Sequence, residues 1–174
     1  MAASEAHAML AFDTTVVVPA AQHPLKNGSS ATPEQRLDMV RLAVEGDERF
    51  EVSTVDIDRG EPTYTIDTVR DIEQAYPDAE LFFVTGADSL ATLDRWKDAQ
   101  ALRERVRFVG VTRAGHSLPE EIAGVTLVEV PHVRVSSTEV RARIARGMSV
   151  RYLVPHPVET YIREHHLYGG GTDG

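Results

Sequence analysis

Apolar positions along this chain switch between short continuous runs and longer stretches spaced by three and four residues. The continuous, β-branched runs lie at Thr15–Val18, Phe50–Val55, Leu81–Thr85, Arg107–Thr112 and Val125–Val130, and predict strands covered on both faces. Between most of them the spacing turns helical. Thr32-Pro33-Glu34-Gln35 has the form of a capping box with proline at the first helical position, leading into Leu37, Val40, Leu42 and Val44 before Gly46 ends the helix. Ile66, Val69, Ile72 and Tyr76 space a second helix that stops at Pro77, and His156-Pro157 opens a last one through Val158, Tyr161 and Ile162. Ala2-Ala3-Ser4-Glu5 reads as helix at the outset. This alternation predicts an α/β fold with a doubly wound, mostly parallel, Rossmann-like sheet.

Composition narrows the class. A chain of 174 residues with 42% hydrophobic content is long enough for one globular domain, read here as residues 1–168 with a flexible tail at 169–174 rich in glycine. A net charge of -9 and a pI near 5.2 argue against a general nucleic-acid or anionic-membrane surface, since both need a basic footprint. Any polyanion bound must be small and held locally. With no cysteine, disulfides and thiolate zinc sites are excluded, and no apolar run approaches a membrane span or signal segment. A cytoplasmic protein is the default expectation, with homo-oligomerisation left open.

Sheets of this kind bind ligands beyond the carboxyl ends of their strands. Those positions here are polar: Gln22-His23-Pro24-Leu25-Lys26, Gly86-Ala87-Asp88-Ser89, Arg113, and Val135-Ser136-Ser137-Thr138-Glu139-Val140-Arg141 after Pro131. The last of these sets hydroxyls at the start of a helix, where Ser136 or Ser137 can cap, and places Arg141 one turn further in. Free amides, the positive end of the helix dipole and a guanidinium together suit phosphate. An ordinary helix cap beside a surface arginine is the plainer alternative. Neither a Walker loop nor G-x-G-x-x-G is present, so a nucleotide would be held by another arrangement.

Taken in order, Pro62-Thr63-Tyr64-Thr65 with Asp67-Thr68, Gly86-Ala87-Asp88-Ser89 with Trp96 eight residues after the aspartate, Phe108-Val109-Gly110-Val111-Thr112-Arg113, the VSSTEVR segment and Tyr152-Leu153-Val154-Pro155 form a specific set. On these residues the chain resembles, over essentially its whole length, the bacterial nicotinate-nucleotide adenylyltransferases of the H-x-G-H nucleotidyltransferase superfamily. The resemblance implies transfer of the adenylyl group of ATP to nicotinate mononucleotide, with magnesium arriving on ATP, held mainly by phosphates and water.

Residue by residue, it implies that Ser136, Ser137, Thr138 and Arg141 cradle the β- and γ-phosphates and that Lys26 assists them. Asp88 would hold the adenosine ribose beside Gly86, with Arg113 a weaker phosphate- or adenine-side candidate. Thr63, Tyr64 and Thr65 match the loop that frames the nicotinate, and Trp96 the aromatic that stacks on its ring. Without the resemblance, Lys26 reads as a solvated loop lysine, Asp88 as the N-cap of a Ser89–Asp94 helix and Trp96 as a core residue. No protein metal site is expected, and His165-His166 falls on an exposed C-terminal helix, leaving His23 as the histidine nearest the ligand side.

One departure stands against this match. Family members begin with a strand and a turn of the form G-G-(S/T)-F-D-P-x-H-x-G-H, whose histidines contact the ATP phosphates, and this sequence contains neither. No catalytic residue is therefore assigned with certainty. Met1 falls where relatives carry an apolar residue inside the first helix, as a misplaced start with a GTG valine codon read as methionine would give; a fragment or degenerate paralogue is the alternative. The expectation is that the 174-residue chain, lacking a central strand, is poorly folded and inactive, and that a version extended upstream is active. Two rival functions remain at this stage: a non-catalytic nucleotide-binding module, and another adenylyltransferase such as one acting on phosphopantetheine.

Overall fold

The computed structural model describes residues 2–21, 31–60, 63–113, 124–130 and 135–169. In chain order the elements are α1 (Ala2–Leu10), β1 (Thr15–Val17), α2 (Pro33–Val44), β2 (Phe50–Val52), α3 (Val55–Arg59), α4 (Thr65–Ala75), β3 (Phe82–Gly86), α5 (Ala87–Leu90), a 3-10 turn at Leu93–Arg95, α6 (Ala99–Arg105), β4 (Arg107–Arg113), β5 (Val125–Val130), α7 (Ser137–Ala145) and α8 (His156–Glu164). They divide into two compact units, one of Met1–Thr15 and Thr63–Val133, the other of Val16–Pro62 and Arg134–Gly174.

The first unit is built on a parallel sheet of order β3-β4-β5, with Phe82 opposite Arg107 and Phe108 opposite Val125. Its side chains alternate between two cores, as the period of a strand requires. Phe83, Phe108 and Val125 pack with Ile66, Val69, Leu90, Leu93 and Leu102 from the intervening helical segments and with Val106 just before β4. The neighbouring residues Phe82, Val84 and Val109 join Val128, Val130, Leu10 and Phe12 on the opposite face. Each such side chain, fully buried, contributes about 1.5–3 kcal/mol. The continuous apolarity read from the sequence is the signature of this two-sided burial. Gly110, in the middle of β4, is a point of close approach: a Cβ there would lie 2.8 Å from Leu127 Cδ2 and 3.3 Å from Leu90 Cδ1.

The second unit pairs β1 with β2 and sets α2 against α8. Thr32 closes the expected capping box, accepting from the Gln35 amide while the Gln35 side chain accepts from the Thr32 amide. Its core gathers Ala31, Val158, Ile162 and Leu167, with Met39, Leu42, Ile144 and Tyr161 packed against them. The Tyr161 hydroxyl donates to Asp38 Oδ2 at 2.9 Å. The Arg36 guanidinium donates to the carbonyls of Ala31 at 2.8 Å, of Ala20 at 3.0 Å and of Ala21.

Two elements differ from the sequence reading. β2 ends at Val52, whereas the apolar run predicts a strand through Val55. The Ser53 amide still reaches the Val17 carbonyl at 3.0 Å, but Thr54 then turns the chain into α3 by donating its hydroxyl to Asp58 Oδ2 at 2.6 Å while its carbonyl accepts from the Asp58 amide. In place of a Ser89–Asp94 helix there is one turn at Ala87–Leu90 and a 3-10 turn at Leu93–Arg95. The Thr92 hydroxyl donates to the Ser89 carbonyl, diverting it from the helical ladder, and a three-residue spacing buries both Leu90 and Leu93.

Candidate functional site

In the second unit, α7 begins as the serine cluster predicts. Ser136 is the N-cap, its backbone extended and its hydroxyl accepting from the Glu139 amide at 3.1 Å. That bond satisfies one of the amides a helix start leaves open. Ser137 and Thr138 occupy the first turn with exposed side chains, and Val140 anchors the helix to the core. Arg141 is half-buried and, among the described residues, has no hydrogen-bond or ion-pair partner. Arg143, by contrast, donates to the Ser149 carbonyl and reaches Glu139 at 4.0 Å. Burial pushes the Tyr168 phenol above its ordinary pKa, and the positive charges of Arg141 and Arg36 pull it partly back. The guanidinium of Arg141 is thus uncommitted to any carboxylate among the described residues.

The first unit carries the remaining described candidates. Gly86 ends β3 and is the N-cap of α5, so Asp88 lies inside that turn and does not cap it. Asp88 is exposed and without a partner among the described residues. Among the described residues nothing lies within 4 Å of where a Gly86 Cβ would stand, and its φ of -64° is open to any residue. Neither packing nor backbone geometry therefore requires glycine there.

Tyr64 is the N-cap of α4 and 40% exposed; its side chain makes no cap bond, while its carbonyl accepts from the amides of Asp67 and Thr68. Thr63 and Thr65 flank it, both half-buried. Trp96 follows the 3-10 turn and is also half-buried, its ring edge-on to Phe83 at 5.8 Å and to Phe108 at 6.3 Å, with Nε1 donating to Thr92 Oγ1 at 3.4 Å. Core packing and an accessible portion are thus combined in one side chain.

A side chain that the sequence reading passed over joins these pieces. Lys97 Nζ lies 4.2 Å from the centre of the Tyr64 ring and 3.0 Å from Asp67 Oδ2. His7 was also passed over as a structural residue: it is buried, with Nδ1 2.9 Å from Thr15 Oγ1. His165 and His166 are exposed, as expected, with the His165 ring stacked on Tyr161. Lys26 and His23 lie outside the described residues, as does the side chain of Arg113, which ends β4.

Among the described residues no group of three or more His, Cys, Asp or Glu is placed to hold a metal ion, and no helix is long and apolar enough to cross a membrane. Two surface hollows in the second unit, of about 170 Å³ and about 710 Å³, are lined by residues of the 144–169 region; Tyr152 and Val154 of the Tyr152–Pro155 motif line the smaller, but none of the residues assigned to ATP or the mononucleotide lines either. Hollow size and candidate chemistry therefore do not coincide. The uncommitted charge of half-buried Arg141 is the better guide, because a half-buried ionic group without a partner among the described residues gains from one supplied by a ligand.

A family described as cytidylyltransferase-like matches residues 1–143. A probable nicotinate-nucleotide adenylyltransferase of Streptomyces coelicolor is 47% identical over 174 residues, covering 98% of this chain and 93% of that protein. One of Clavibacter michiganensis is 48% identical over 171 residues, covering 97% and 85%. The fold is similar, with a TM-score of 0.74 at 16% identity, to the Plasmodium falciparum nicotinic acid mononucleotide adenylyltransferase complexed with NaAD, over 94% of this chain and 90% of that one.

Proposed function

The chain belongs to the nicotinate-nucleotide adenylyltransferases, within the cytidylyltransferase-like family, and from that premise we propose that it transfers the adenylyl group of ATP to nicotinate mononucleotide, a step of NAD biosynthesis. The match to relatives of that name along nearly the whole of both chains carries the reading. A phosphate oxygen of the mononucleotide attacks the α-phosphorus of ATP. A new P–O bond forms as the bond to the bridging oxygen of the β-phosphate breaks, and the electron pair leaves with pyrophosphate. Since the nucleophile is the substrate's own phosphate, the protein need only bring two anions together and stabilise the charge that builds on the leaving group.

The described residues fit that demand. The first amides of α7, the hydroxyls of Ser137 and Thr138 and the uncommitted Arg141 would receive the β- and γ-phosphates, each charge-assisted contact being worth about 1.5–3 kcal/mol. Lys26 and Arg113 are assigned to phosphate on sequence grounds. Asp88 would accept from the ribose hydroxyls across the open space beside Gly86. In the nicotinate site, Thr63, Tyr64 and Thr65 at the start of α4 would frame the ring and its carboxylate, and Trp96 would give a flat face to the ring. Magnesium would arrive with ATP and supply positive charge to offset that of the phosphates. We further propose that residues 1–168 act as a single domain and that the protein works in the cytoplasm.

The test is pyrophosphate release and dinucleotide formation from ATP with nicotinate mononucleotide, run beside nicotinamide mononucleotide and phosphopantetheine as acceptors. Turnover with phosphopantetheine alone would overturn the substrate assignment. Binding of both ligands without pyrophosphate release would favour a nucleotide-binding module.

A further inference from the structure

Lys97 makes contacts that tie together two segments thirty residues apart in sequence. Its ammonium lies 4.2 Å from the centre of the Tyr64 ring, within cation–π range, and 3.0 Å from Asp67 Oδ2. Tyr64 is the N-cap of α4 and Asp67 stands in that helix's first turn. Lys97 itself directly follows Trp96, whose ring is fixed against Phe83 and Phe108. One side chain thus holds the start of α4 to the segment that carries the tryptophan.

It also changes the charge at that helix start. Asp67 places a carboxylate there, where a bound anion would be repelled. Arg70 pairs with Asp67 at 3.2 Å but is shared with Asp98 at 3.7 Å. Lys97 supplies the second neutralising contact to Asp67 and, at 43% exposure, keeps part of its surface open. Among the ion pairs Lys97–Asp67, Arg70–Asp67 and Arg70–Asp98, removing Lys97 leaves two carboxylates facing one guanidinium.

We propose that Lys97 is a positioning residue that sets the preference for an acidic over a neutral pyridine ring, by clamping the Tyr64 segment to the Trp96 segment and screening Asp67 from the ligand carboxylate. This deepens the proposed function and rests on the nicotinate site lying at these two segments. The test is calorimetric affinity of the full chain for nicotinate mononucleotide, nicotinamide mononucleotide and ATP, in the wild type, Lys97→Met, Lys97→Arg and Trp96→Ala. Lys97→Met keeps the aliphatic stem and removes the charge. It is expected to weaken the acid by about 5- to 10-fold, the amide by clearly less, and ATP not at all, while Lys97→Arg restores the acid preference because a guanidinium both pairs with carboxylate and stacks on a ring. Equal loss of acid and amide, or no loss of either, would overturn the proposal while leaving the site itself standing if Trp96→Ala weakens both. Unchanged binding of both mononucleotides in Trp96→Ala would remove the site from these segments and the proposal with it.

Discussion

Arg141 and Trp96 mark how far single residues speak. Because Arg141 is half-buried with no ionic partner among the described residues, Arg141→Ala is expected to lower kcat/KM for ATP by about tenfold or more, the loss of one charge-assisted contact, while leaving affinity for nicotinate mononucleotide nearly intact. Equal losses for both ligands would instead assign the residue to holding the start of α7. Trp96 is expected to lose fluorescence when nicotinate mononucleotide binds, through stacking on an electron-poor ring; unchanged emission at saturation, with binding confirmed by calorimetry, would take it out of the site. The serine cap was legible because a cap is a local pattern, and Ser136 performs it. Asp88 was ambiguous for the same reason: an aspartate after glycine resembles an N-cap, and only the placement of Gly86 as cap removes that reading. Lys97 left no trace in local pattern, since its partners are a ring and a carboxylate contributed from a remote segment.

At the scale of elements, strands were legible where both faces are buried and less so where side-chain hydrogen bonds compete. The runs that became β3, β4 and β5 pack into two cores and keep their predicted positions to within a residue. The run at Phe50–Val55 was cut short by the Thr54–Asp58 pair, which β propensity does not register. Gly110 shows what an interior strand position adds to pattern. A methyl group there would press on Leu127 and Leu90, so Gly110→Ala is expected to destabilise by about 1–3 kcal/mol through overpacking, outweighing the roughly 0.5–1 kcal/mol that replacing an interior glycine otherwise returns. Urea unfolding decides it: a midpoint equal to or above wild type would mean that the two leucines repack freely.

For the molecule as a whole, the α/β class and parallel pairing were legible, whereas the division into two compact units was not, since it depends on contacts between segments distant in sequence. The second unit sets an alkaline limit on stability. Burial and the bond to Asp38 raise the Tyr161 pKa above 10.0, and burial raises that of Tyr168. Below pH 10 both folded and unfolded states keep these protons and the stabilisation is complete; above it the unfolded chain releases them first, so stability falls as pH rises towards the folded values. Thermal unfolding followed from neutral to strongly alkaline pH should show that decline, and Tyr161→Phe with Tyr168→Phe should flatten it. A decline of the same steepness in the double variant would place its origin elsewhere. Arg36 has a different consequence, for how the chain tolerates change in length. Its guanidinium holds the carbonyls of Ala20, Ala21 and Ala31, so the two ends of residues 22–30 are fastened whatever lies between them. Closing a span with fixed ends costs only about 0.6 kcal/mol per doubling of its length. Insertions of a few residues there should leave the unfolding midpoint nearly unchanged in wild type and lower it in Arg36→Ala, which would make this arginine the device that lets the chain change length between Ala21 and Ala31 without disturbing the fold that carries it.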